Sequence, residues 1–311
     1  QVVTNLAGNA VKFTERGHVV VRVGRNPDRK PVAGQEELRV EVIDTGPGIA
    51  PAKHQAIFDP FVQADDSPTR RAGGTGLGLA IAGQLVSTSG VVEAERRIKD
   101  DGEIEAMARA CAIADSALAE VAPTLGDGLT EADVRNRLEV RLRELGAGGP
   151  SYDTIVATGP VNSALPHHRP TATLIEAGHT VIIDVGALVD GYHSDMTRTF
   201  VVGEPTAQQI ELYEVVLAAQ RAGVEAVRSG ISVKELDGVC RGFITEAGYG
   251  DWFSHGTGHG VGLLIHEDPF VNATSDAVLQ VGDVVTVEPG AYREGFGGIR
   301  VEDLVVVTSD G

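Results

Sequence analysis

"HTVIIDVGALVDGYHSDMTRTFVVG", His179 to Gly203, decides the fold of the larger part of this chain. Two alternating runs flank Asp190-Gly191, a dipeptide suited to a two-residue type I′ turn because both of its positions tolerate positive φ. The spacing predicts Val189 opposite Tyr192. Counting outward pairs Leu188 with His193, Gly186 with Asp195 and Asp184 with Thr197. Asp184 and Asp195 then share one face as diagonal neighbours, near enough for their carboxylates to converge on one cation. The alternative is a pair of solvated acids, and the apolar residues around them argue against exposure.

Downstream, "DVVTVEPG" (Asp283–Gly290) and "IRVEDLVVV" (Ile299–Val307) read as two further strands. Alternation puts Glu288 on one face of the first, and Arg300 with Glu302 on one face of the second. A buried carboxylate without a partner is costly, so four acids in such strands ask for cations, and Arg300 alone cannot satisfy four. Nitrogen donors stand in "HGTGHGVGLLIHED", where His255, His259 and His266 punctuate a glycine-rich, strand-like segment. This is not the helical HExxH motif, since Phe270 occupies the place of its second histidine. A lone histidine beside glycines is commonly a turn residue, but these three, with His167 and four strand acids, form a constellation of metallopeptidase character.

Upstream, "VVEAERRIKDDGEIEAMARACAIADSALAEVAP" keeps a helical period through Ile98, Ile104, Met107, Ala108, Cys111 and Ala112, and Pro123 closes it. A second helix is predicted near Glu131 to Leu145, ending in "GAGGP".

With "ALPHHRP" and "VVTVEPGAY" added, these segments resemble the Xaa-Pro peptidase family, aminopeptidase P and prolidase, from about Val91 to Gly311. The resemblance implies an α/β (α+β) pita-bread fold with a curved antiparallel sheet flanked by helices. It makes Asp184 a ligand of one metal, Asp195 and Glu302 bridging ligands, and His259 and Glu288 ligands of the other. It also implies that a metal-bound hydroxide attacks the bond beside proline in a peptide substrate. Glu288 would shuttle the proton, His167, His255 and His266 would contact substrate and developing charge, and Arg300 would support the ligands. His167 is chosen over His168 on the family's spacing to Asp184. Four carboxylates and one imidazole form a hard donor set, which favours two Mn2+ ions, with Co2+ as substitute. Relatives often pair as homodimers through a separate N-terminal domain, and a homodimer is the corresponding expectation.

The first ninety residues read differently. "QVVTNLAGNAVKFTERG" places Val2, Val3, Leu6, Ala10 and Phe13 at helical spacing, with Asn5, Asn9 and Lys12 on another stripe and Gly17 as a stop. "LRVEVIDTGPGIA", "IFDPFVQADDS" and "GGTGLGLAI" follow in that order and together resemble the ATPase domain of sensor histidine kinases. The resemblance implies ATP and Mg2+. Asp44 would accept from the adenine amino group, and Asn9 would hold the ion. Asn5, Lys12, Gly46, Gly48, Gly74, Gly76 and Gly78 would line the nucleotide, glycines letting backbone N–H groups approach phosphates. A dinucleotide site is excluded because Leu79 stands where G-x-G-x-x-G needs Gly or Ala. Nothing resembles a phosphoacceptor helix, and the strands that finish such a sheet do not follow Gly90, so an incomplete α/β sandwich is expected.

The chain therefore divides into 1–90 and 91–311, joined across "LVSTSGVVEAERRIKDD" (Leu85–Asp101) in what reads as a fusion. A length of 311 residues accommodates two domains. A net charge of -18 argues against nucleic-acid and anionic-membrane partners. No apolar run reaches the roughly 18 residues of a membrane span. Cys111 and Cys240 support neither a disulfide framework nor a thiolate zinc site. Without a secretory leader before Gln1, a cytoplasmic protein is expected. Two other functions are weighed: a nucleotide-binding signalling module, and a pita-bread domain kept only for binding, which would leave ligand positions vacant.

Overall fold

The structure, a computed structural model, describes residues 2–14, 16–25, 38–50, 53, 54, 57 and 91–309. It divides into two compact units, Gln1–Thr88 and Ser89–Gly311.

In the first unit, helix α1 (Val2–Phe13) is followed by strands β1 (Val19–Arg25) and β2 (Leu38–Asp44). The strands pair antiparallel with Val19 opposite Asp44. Gly17 at φ 132° takes the chain out of the helix, a backbone conformation that side chains disfavour.

The second unit opens with α2 (Val91–Arg97), α3 (Asp101–Val121) and α4 (Glu131–Glu144). The sequence reads α2 and α3 as one helix, but the chain breaks between them. Asp100 Oδ1 accepts the Glu103 N–H at 2.9 Å while Glu103 Oε2 accepts the Asp100 N–H at 2.8 Å. This reciprocal cap satisfies the first turn of α3 and starts a new helix there. Lys99, buried in the break, reaches Glu267 at 2.7 Å.

Next come β3 (Gly149–Pro150), β4 (Ile155–Thr158), the short α5 (Gly159–Asn162), β5 (Thr180–Asp184), β6 (Ala187–Val189), β7 (Tyr192–His193) and β8 (Thr197–Val201). The predicted hairpin register holds: Val189 faces Tyr192, Leu188 faces His193 and Asp184 faces Thr197. Asp190 and Gly191 adopt φ of 53° and 88°, as a type I′ turn requires. Gly186 and Asp195, predicted as a ladder pair, lie instead where the ribbon divides between sheets β4-β5-β8 and β3-β6-β7. Bonds from Val185 N–H to Met196 O and from Ser194 N–H to Ala187 O carry the register across that division. A Cβ at Gly186 would collide with the Ser194 carbonyl oxygen.

Helices α6 (Ala207–Ala226) and α7 (Val233–Glu246) precede β9 (Gly258–Gly260), β10 (Glu267–Val271), β11 (Val284–Val287), β12 (Gly290–Arg293), β13 (Gly297–Arg300) and β14 (Asp303–Val306). One antiparallel sheet runs β10-β9-β11-β14, and β12 pairs with β13. The strand predicted through "IRVEDLVVV" is thus two strands. β13 belongs to the β12 pair and β14 to the larger sheet, and Val301-Glu302 is the crossing.

The core lies in two main clusters. One packs Ala110, Ala114, Val134 and Leu138 of α3 and α4 on Val156, Val181 and Ile183. The other packs Ala219, Leu236, Cys240 and Ile244 of α6 and α7 on Val271, Val285 and Val287. Each is a helix pair laid on an antiparallel sheet, the layered plan of a pita-bread fold. Among the described residues no helix is long and apolar enough to cross a membrane.

Candidate metal centre

The four acids singled out in the sequence share one structural circumstance. Asp184 ends β5, Asp195 lies between β7 and β8, Glu288 between β11 and β12, and Glu302 between β13 and β14. Each stands at a point where the chain leaves one sheet for another, Asp184 as the last paired residue of its strand and the other three just outside theirs.

Asp184, Asp195 and Glu302 each place a carboxylate oxygen within 4.8 Å of the others. Arg300 Nη2 holds Asp184 Oδ2 at 2.7 Å, its Nε reaches Thr197 Oγ1 at 2.9 Å, and its Nη1 reaches Tyr292 Oη at 2.8 Å. Thr197 Oγ1 in turn donates to Glu302 Oε2 at 2.6 Å. The Tyr152 hydroxyl is bonded to Asp184 and to Asp195, the latter at 2.5 Å. A phenol has one proton and can donate to one carboxylate at a time.

His259 completes the group. Its Nδ1 faces the Gly260 carbonyl at 3.1 Å, so this nitrogen carries the proton. The Nε2 lone pair then points at Asp195 Oδ2, 3.6 Å away, and Glu288 Oε1, 3.4 Å away. Burial lowers the His259 pKa to about 4, so the ring is neutral near pH 7. The Nε2 lone pair and the two carboxylate oxygens face one another at a spacing that suits ligands about 2.0–2.2 Å from one ion.

Protonation follows the same pattern. Burial, and then the neighbouring acids, push Asp195 and Glu302 well above the usual carboxylate range. Glu288 is raised by burial and by Glu302. Glu302 Oε1 is buried and has no hydrogen-bond partner among the described residues. A buried acceptor left unpaired costs about 1–3 kcal/mol, a cost that a coordinated cation removes. The donor set therefore fits divalent metal.

Around it, His255 donates from Nδ1 to Gly256 O at 2.7 Å and accepts the Tyr292 hydroxyl at Nε2, 3.0 Å away. Burial, then Arg300, lowers its pKa to about 4. His266 is exposed, its ring centroid 4.3 Å from that of His259. His167 is exposed, and a proton on its ring would disfavour one on His255 or His266. His168 points away, its Nε2 2.9 Å from Glu131. The structure thus gathers the nine peptidase residues named from the sequence around one centre. Tyr152, Thr197 and Tyr292 were missed, as was Thr286, whose hydroxyl accepts the His259 N–H at 3.0 Å and donates to Glu288 Oε1 at 3.2 Å. Tyr292 follows Glu288 by four residues, but no local pattern marks Tyr152, which is 32 residues from Asp184.

In the first unit, Asn5, Asn9 and Lys12 lie on α1. Asp44 is exposed at the end of β2, where Oδ1 accepts the Gly46 N–H at 2.8 Å. Gly48 has φ 71°. Gly74, Gly76 and Gly78 lie outside the described residues.

Comparison with known families agrees with this centre. The profile of metallopeptidase family M24 matches residues 105–309, and the chain belongs to that family. A second profile, histidine kinase-, DNA gyrase B- and HSP90-like ATPase, matches residues 1–108. Among individual proteins, the chain is 46% identical over 221 residues to an Xaa-Pro dipeptidase of Pyrococcus furiosus, covering 71% of this chain and 63% of that protein. The solved Xaa-Pro dipeptidase of Bacillus anthracis superposes with a TM-score of 0.71 at 47% identity, covering 72% of this chain and 63% of the other. The X-Pro aminopeptidase of Thermotoga maritima superposes at 0.69 with 41% identity, covering 71% and 62%. The chain thus spans under two thirds of the length of these relatives.

Proposed function

We propose that this chain is a metal-dependent exopeptidase that hydrolyses the peptide bond beside proline, as a dipeptidase or an aminopeptidase. The observation that carries the reading is Glu302 Oε1, an unpartnered buried acceptor beside Asp184 and Asp195 in a chain of family M24. Four carboxylates against Arg300 leave three negative charges, more than one divalent ion neutralises. Asp184, Asp195, His259, Glu288 and Glu302 would therefore hold two ions, with Mn2+ favoured by the oxygen-rich set. When bound, such a pair lowers the pKa of a shared water and polarises the scissile carbonyl.

The protein's own groups supply the rest. Glu288, raised by burial, is suited to take a proton and return it to the leaving amine. His255, kept neutral and oriented by Tyr292, offers its ring to the substrate. His167 and His266, both exposed, would meet the substrate and the charge that develops on its carbonyl oxygen. The peptidase domain is taken to run from about residue 91. A cytoplasmic setting accords with the free thiols of Cys111 and Cys240.

The test is release of the N-terminal residue from an Xaa-Pro dipeptide and an Xaa-Pro-Yaa tripeptide by Mn2+-loaded chain, with and without chelator. Chelator-sensitive turnover supports the reading and shows the preferred length; no turnover from a chain with both metals bound refutes it. A nucleotide-binding role for the first unit rests on its ATPase profile match, and a titration with ATP and Mg2+ that gives no heat would dispose of it.

A further inference from the structure

We infer that Glu131 is the positioning residue that sets His167 in the site, acting through its neighbour His168. The inference rests on the reading above, in which His167 contacts substrate.

Glu131 is the first residue of α4, and it is 0% exposed. Five donors converge on its carboxylate. The Thr158 N–H at 2.8 Å and Asn162 Nδ2 at 3.0 Å meet Oε1. His168 Nε2 at 2.9 Å, the Thr171 N–H at 2.9 Å and Thr171 Oγ1 at 2.8 Å meet Oε2. Burial alone would raise the pKa of this acid, but the hydrogen bonds outweigh it and hold the pKa below the ordinary value. An ionised carboxylate only accepts, so His168 Nε2 must be the donor.

These bonds tie the end of β4, α5 and the segment from His168 to Thr173 onto the start of α4. Main-chain bonds from Glu131 N–H to Thr173 O and from Ala132 N–H to Thr171 O extend the attachment. On the other side of His167, the Pro166 carbonyl accepts from Arg300 Nη1 at 3.2 Å, and Arg300 is bonded to Asp184. His167 is therefore the single residue between two anchors, one on the metal centre and one on Glu131. Its backbone is fixed on both sides while the residue itself stays exposed. A misplacement of about 1 Å at such a group costs on the order of a hundredfold in rate.

The test uses the full chain with isotope-labelled histidine and E131Q. In either rotamer the Gln amide sets an NH2 group against at least two donors. We expect the ring resonances of His167 and His168 to move while those of His255 and His259 stay in place. The kcat/KM of E131Q falls about tenfold to a hundredfold, and E131Q/H167A is no slower than H167A alone. A folded E131Q whose His167 resonances are unmoved overturns the inference, as does a double variant slowed by the product of the two single effects. Should E131Q not fold, H168A leaves the carboxylate its other four donors, and the His167 resonances must still move; unmoved resonances overturn the inference. If the unmodified chain shows no turnover, the peptidase reading fails, and the resonances still decide the positioning role.

Discussion

The Tyr152 hydroxyl oxygen lies 2.5 Å from Asp195 Oδ1 and is bonded to Asp184 as well, so one phenol joins the end of β5 to the segment that leads into β8. With a single proton it bridges the carboxylates that would share metal and fixes their separation. Tyr152→Phe removes the bridge and keeps the ring. Partners that orient metal ligands are typically worth 10–100-fold in affinity, and a loss of about that size in Mn2+ affinity is expected by calorimetry. An unchanged affinity would reduce Tyr152 to packing.

Glu302→Gln should act with opposite signs on two measurements. Glu302 is pushed well above its ordinary pKa by burial and by Asp195 and Asp184, so its charge opposes folding of the metal-free chain near neutral pH. A neutral amide should raise the urea midpoint of chelator-treated protein while sharply weakening divalent-metal binding. A midpoint that falls along with the affinity would mean that the carboxylate is structural.

Histidine protonation sets a further expectation. The folded pKa of His255 is about 4, against 6.5 for the free group. Between those values the unfolded chain binds a proton that the folded chain refuses, so this contribution to stability falls as pH drops from 6.5 to 4. It amounts to about 3 kcal/mol across the window, at 1.36 kcal/mol per unit. The unfolding free energy of the metal-free protein, less that of His255→Gln, should therefore rise from pH 4 to 6.5 and level off above. A flat difference would refute the assignment.

Asp100→Ala tests the unexpected break between α2 and α3. Loss of this N-cap typically costs about 1 kcal/mol, and the urea midpoint should fall accordingly without a change in slope. No shift would mean that Lys99 and its contact to Glu267 fix the break alone.

The hairpin register, the presence of four acids in apolar strands and the extents of β2 and α4 were legible in the sequence because each rests on a local rule. A type I′ turn at Asp190-Gly191 and a period of two are enough to place Asp184 opposite Thr197, with no knowledge of the rest of the chain. The preference for His167 over His168 rests on the family resemblance rather than on a local rule; in the structure His168 is bonded to Glu131 and His167 is exposed.

Other features were settled by packing between distant segments. Local alternation continues through Glu302 as though the strand did, and only the competition between the β12 pair and the larger sheet breaks it there. The bond between Tyr152 and Asp195 spans 43 residues, and that between Thr197 and Glu302 spans 105. The ladder of donors on Glu131 joins residues up to 40 positions away. Short-range periodicity carries no signal for such contacts, because they exist only once helices and sheets have closed around the acids and excluded the water that would otherwise satisfy them.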